Sequence, residues 1–177
     1  MADSVVTKIL ARIQATRTVG MGVGTQKYPA TVEEALDWPD GTSASTADEM
    51  WTDDAGSVGA GANDDLDLTA LAQLDDDGDA TGRTVNFAKI KLLFIRNTSS
   101  AGNLAVGAAA ANPWIDSVGT EGWLDAASDI LNIPNGGFEM IGFPAGVVVT
   151  NGASDILRIA GVGSTQTYEI IIIGDAA

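Results

Sequence analysis

Carboxylates are the side chains whose number and spacing in this chain most invite chemistry. Asp75-Asp76-Asp77-Gly78-Asp79 crowds four of them on a sharp glycine turn, the kind of donor set a hard cation such as calcium takes. The EF-hand frame fails there: with Gly78 at the loop's turn position, the first and last ligands fall on Gln73 and Thr84. A solvated acidic turn is the other reading of the same run. Glu33/Glu34 and Asp53/Asp54 supply carboxylate pairs of the type a glycosidase uses, yet neighbours on a strand point to opposite faces, and that mechanism depends on their separation. Gly20, Gly22 and Gly24 suggest a phosphate loop, but the dinucleotide fingerprint needs its third glycine at Thr25 and a helix after it, where Pro29 stands. The chain contains no His and no Cys, so Ser-His-Asp and Cys-His nucleophilic sites are excluded, along with zinc ribbons and disulfides. No residue is assigned a catalytic, cofactor-binding or metal-binding role, no cofactor is expected, and the expectation is a protein that is not an enzyme.

Trp38, Trp51, Trp114 and Trp123 could stack sugar rings, although tryptophan beside a loop also serves as an anchor or an interface residue. The formal charge of -15 argues against nucleic acid, since a DNA partner must be met by Lys and Arg that release counterions. No stretch approaches a membrane span, and the N-terminus lacks the apolar core of a signal peptide, so a soluble protein with no membrane partner is expected.

The elements that would position these groups read as strands. From Val5 to Val19 the residues Val5, Ile9, Ala11, Ile13, Ala15 and Val19 alternate with polar positions, which suggests a long strand or extended arm; Val6, Ile9, Leu10 and Ile13 keep a helix open as the alternative. Lys8, Arg12, Arg17 and Lys27 make this arm basic, with only Asp3 opposing them in it. Between Glu33 and Asp79 there are fifteen acidic residues and no Lys or Arg, and Ala44 to Ala62 reads as a long surface excursion pinned by Trp51. In Lys89 to Arg96 the row Ile90, Leu92 and Phe94 is apolar and is expected to face a core. Short apolar runs bounded by Gly, Pro, Asn or Asp then recur down to Tyr168–Ile173, which reads as a central strand covered on both faces. About eight strands after residue 64 predict an all-β, jelly-roll-like antiparallel β-sandwich with an extended N-terminal arm. The expected division is an arm and acidic loop over 1–46 and a sandwich over 47–177.

Ala47-Asp48-Glu49-Met50-Trp51, Asp65-Leu66-Asp67-Leu68, Phe87-Ala88-Lys89-Ile90-Lys91, Pro134-Asn135-Gly136-Gly137-Phe138 and the closing Tyr168-Glu169-Ile170-Ile171-Ile172-Ile173-Gly174 together resemble small virion proteins of tailed bacteriophages. The resemblance covers roughly residues 47 to 174 and is structural, without a catalytic signature. It implies a capsid decoration, or cement, protein: made in the host cytoplasm, carried on the capsid surface of the virion, docked on the major capsid protein, and paired with copies of itself as a homo-oligomer such as a trimer. Lys8, Arg12 and Arg17 of the arm, with Trp51, are the residues expected at such an interface, the arm adding main-chain pairs at the strand edges of neighbouring subunits. A tail or spike component that binds host-surface glycans through the tryptophans is the alternative.

Overall fold

The computed structural model describes residues 7–21, 24–41, 43, 46–74, 80–115, 123–124 and 126–177. Among them every regular element is a strand. Two long strands, β1 (Thr7–Met21) and β2 (Gly24–Trp38), come first. β3 (Glu49–Val58), β4 (Asn63–Asp67), β5 (Leu71–Leu74), β6 (Ala80–Val85) and β7 (Phe87–Asn97) follow. β8 (Asn103–Gly107), β9 (Ile130–Pro134), β10 (Phe138–Val148), β11 (Ile156–Val162) and β12 (Gln166–Ala176) complete the chain.

Eight of these strands form two antiparallel sheets, ordered β10-β7-β12-β3 and β4-β11-β8-β9. The arrangement is a β-sandwich, and its strand order is compatible with the jelly roll expected from the strand count. Each sheet gives one apolar row to a shared core. Leu93 and Ile95 of β7 and Ile170 and Ile172 of β12 join Leu104 and Val106 of β8 and Leu157 and Ile159 of β11. Each such side chain contributes about 1.5–3 kcal/mol on full burial, so this core supplies most of the sandwich's cohesion. The Tyr168–Ile173 run lies in β12, an interior strand, as its continuous apolar character requires. The sheets are joined at Pro134-Asn135-Gly136-Gly137, where the Gly137 N–H donates to Pro134 O at 2.9 Å and Gly136 has φ 71°, a turn position that glycine fills without strain.

The expected core row of β7 is split by a bulge. Leu92 pairs with Ile173 and Ile90 with Gly174, so Lys91 is an extra residue on β7 with no partner position on β12. Ile90 faces the core between the sheets, but beyond the bulge that role passes to Leu93 and Ile95. Leu92 packs on the outer face of the sheet with Trp38, Ala47 and Ile173.

The N-terminal segment is strand rather than helix, and it is not a lone arm. β1 and β2 pair over their whole length, from Thr7↔Trp38 to Met21↔Gly24. Glu33, Glu34 and Asp37, expected in an acidic loop, therefore lie in β2. Pro29 fits there because a two-stranded ribbon leaves each strand one edge that needs no donor. The excursion expected over Ala44 to Ala62 is corrected too: Glu49–Val58 is an edge strand, from which Trp51 and Val58 enter the core.

Candidate functional site

The predicted chemical groups do not converge. Asp75 to Asp79, the calcium candidate, lies outside the described residues. Glu33 and Glu34 are adjacent on β2, and Glu33 is 3.8 Å from Arg12 Nε. Asp53 and Asp54 lie in edge strand β3, and Asp53 Oδ1 accepts from the Ala55 N–H at 3.0 Å, a local turn bond. All four tryptophans are buried. Trp51 donates its indole N–H to Ala72 O at 2.7 Å and is part of the core, an anchor tying β3 to β5 as its expected pinning role implies. Trp114, Trp123 and Phe143 pack together with ring centroids 5.8 to 6.1 Å apart.

The predicted interface residues of the arm are held in register with acids or neutral groups. Lys8 stands opposite Asp37, Arg12 opposite Glu33, and Arg17 opposite Tyr28. Four basic and three acidic residues make the hairpin close to neutral, while five basic and twenty-one acidic residues lie elsewhere in the chain. The arm is thus less a cationic tether than a nearly neutral stretch of an acidic chain.

Two buried polar arrangements tie distant segments together. Lys91, fully buried at the bulge, donates from Nζ to Asp175 Oδ1 at 2.5 Å, to Ser43 O at 2.7 Å and to Thr46 O. Three acceptors match the three donors of an ammonium, so the cation is satisfied, and it clamps the segment between hairpin and sandwich against β12. Tyr168 donates its phenol to Asp64 Oδ2, linking the two sheets. Burial, and then the nearby Asp64 carboxylate, hold the Tyr168 hydroxyl well above the usual phenol range. At the surface, Arg158 forks onto Asp65 through Nε at 2.6 Å and Nη2 at 2.7 Å, and this bond lowers the Asp65 carboxyl below its usual range.

What the structure offers to a partner is an apolar surface. Across the outer face of the first sheet, Met140 pairs with Phe94 and Phe94 with Ile171. Phe138 packs against Phe94 with centroids 6.0 Å apart and is 62% exposed; Met140 is 37% exposed. Next to this row, Leu92 and Ile173 are sealed by Trp38 and Ala47. The row of Phe138 also carries the exposed Arg96–Glu169 ion pair, 3.5 Å apart, whereas the acids of the edge strands gather on the other side of the sandwich. Edge strands β3 and β4 carry Glu49, Asp53, Asp54, Asp64, Asp65 and Asp67, whereas edge strands β9 and β10 carry Glu139 as their single acid. Sequence reasoning missed Phe138 and Met140. The available signal was the apolar second row of β12, Ile171 and Ile173, which requires a cover on the outer face.

The chain matches no protein-family model and no curated protein.

Proposed function

We propose that this chain is a non-enzymatic structural protein of a tailed-bacteriophage virion, which decorates and stabilises the assembled capsid by docking on the major capsid protein. The observation that carries the reading is an all-β body joined to a hairpin of two fifteen-residue strands that pair only with each other among the described residues. A cement protein needs a stiff body, an adhesive extension and a soluble outer face, and here the acids collect on one side of the sandwich while the hairpin is close to neutral. The jelly-roll topology and the location on the capsid surface belong to the same proposal, as do copies of the chain as partners. The glycan-binding alternative needs tryptophan faces open to solvent, and all four tryptophans are buried.

Purified shells lacking the protein test the reading. Full-length chain should bind them to saturation in a sedimentation assay, and a chain lacking residues 1–36 should not. Equal occupancy by both would refute the role of the hairpin, and no binding by either would refute the capsid reading.

A further inference from the structure

The sequence contains two Asn-Gly pairs, Asn135-Gly136 and Asn151-Gly152, and the fold puts both in exposed turns. In such a pair the glycine nitrogen, with no Cβ beside it, can approach the Asn side-chain carbonyl closely. The two turns share their backbone form: Gly136 has φ 71° and Gly152 φ 72°, and a Cβ on either would meet open space. They differ in what holds the glycine nitrogen. The Gly136 N–H donates to Asn97 O at 3.0 Å, and Asn135 Nδ2 is itself tied to Ser100 O at 3.4 Å. The Gly152 N–H donates instead to a carboxylate, Asp155 Oδ2, at 2.5 Å, and the Asn151 side chain has no partner among the described residues. Asp155 is fixed by its own backbone, its N–H donating to Asn112 O at 3.1 Å and its carbonyl accepting from the Leu68 N–H at 2.8 Å. It is 4% exposed, and its Oδ1 is buried with no hydrogen-bond partner among the described residues. An unpaired buried carboxylate oxygen is costly, and a reactive role is one reason a fold retains one.

We propose that Asn151 is a self-modification site, converted through a succinimide to an aspartyl or isoaspartyl residue with Asp155 as the base. An amide nitrogen attacks only as it loses its proton. A carboxylate can take that proton, and the carbonyl that holds Gly136 cannot. The Gly152 N–H proton passes to Asp155 Oδ2 as the nitrogen bonds to Asn151 Cγ. The Cγ–Nδ2 bond then breaks, and the proton returned by Asp155 leaves with the side-chain nitrogen as ammonia. Water adds to either carbonyl of the ring and opens it. Either product places a new carboxylate in the turn between β10 and β11. Opening at the main-chain carbonyl also routes the backbone through the side chain, lengthening a turn that Thr150 and Ser154 close tightly by mutual hydrogen bonds.

Full-length chain held at neutral pH is digested at intervals and mapped by mass spectrometry, which scores amide against acid at each site. Isoaspartyl groups are counted with an isoaspartyl methyltransferase. In the folded chain Asn151 should convert at least about tenfold faster than Asn135. The two rates should converge in urea, where Asp155 no longer faces Gly152. Asp155→Asn keeps an oxygen to accept the Gly152 N–H but supplies no base, and it should slow Asn151 about tenfold or more while Asn135 keeps its rate. The comparison of the two sites uses the unaltered chain, so it decides the matter even if Asp155→Asn does not fold. Equal rates at the two sites in the folded chain, or an Asn151 rate that Asp155→Asn leaves unchanged, would overturn the inference.

Discussion

Lys91 and Tyr168 are the residues at which the fold commits polar groups to its interior. Replacing Lys91 by Met leaves the Asp175 carboxylate buried without a cation and the carbonyls of Ser43 and Thr46 without their donor. Breaking a buried pair in this way costs about 3–5 kcal/mol, so the urea midpoint of Lys91→Met should fall accordingly. Adding Asp175→Leu should recover part of the loss; a Lys91→Met cost under about 1 kcal/mol would mean the pair behaves as a solvated one. Tyr168 predicts a pH effect. Its folded-state ionisation lies above that of the unfolded chain, so its contribution is fully present below about pH 10 and is lost as the pH rises further. Between about pH 9 and about pH 11 the wild type should lose stability more steeply than Tyr168→Phe, which has no phenol to ionise. Parallel slopes would rule out Tyr168 as the cause. Neither role was legible in sequence. Lys91 read as one of a charged outer row, because the apolar run Leu92 to Ile95 fits either face and leaves the bulge that turns Lys91 inward unmarked.

Strands β7 and β12 form the central pair of their sheet, and their fit depends on a close backbone approach. A Cβ placed on Gly174 would collide with the Lys89 carbonyl oxygen, a backbone atom with no freedom to swing aside, at the point where the β7–β12 register shifts. Gly174→Ala should therefore destabilise by about 1–3 kcal/mol or more, lowering the melting temperature by several degrees. Gly59→Ala is the control, since its added Cβ meets Ala62 Cβ at an ordinary 3.6 Å and should leave melting unchanged. Equal effects of the two would show that the close approach opens at little cost. Strands of this kind were the most legible feature of the sequence. Tyr168–Ile173 announced a central strand by an apolar run broken only by Glu169, and Pro134–Gly137 announced a turn between strands, though not that those strands lie in different sheets. β2 and β3 were missed for one physical reason: both are edge strands, which tolerate Pro29, Asp53 and Asp54 on their free sides, so their composition imitates a loop. The outer strip was hidden for another, because whether an apolar row ends up covered depends on which element lies over it.

At the scale of the molecule, Trp38 marks where the hairpin stops being an appendage and becomes part of the sandwich. It is buried against Leu92, Ile173 and Ala47, whereas the described side chains of β2 just before it, Thr31, Glu33, Ala35 and Asp37, are all exposed. Two truncations therefore separate docking from folding. Starting the chain at residue 37 keeps Trp38 over the sheet, and the body should unfold at nearly the full-length midpoint while losing the hairpin's partners. Starting it at residue 39 uncovers Leu92 and Ile173 and forfeits a buried tryptophan, at a cost of about 3–5 kcal/mol. The comparison is read by urea denaturation followed through the remaining tryptophans. If the shorter chain is as stable as the longer one, Trp38 is a passenger on the outer face and the hairpin is attached only through its backbone. If both truncations collapse, the ribbon is a structural part of its own sandwich, and loss of shell binding on deletion would report unfolding instead of lost contact. The predicted order, with the cut before Trp38 harmless to the body and the cut after it costly, is what a docking arm rooted in a self-sufficient sandwich requires.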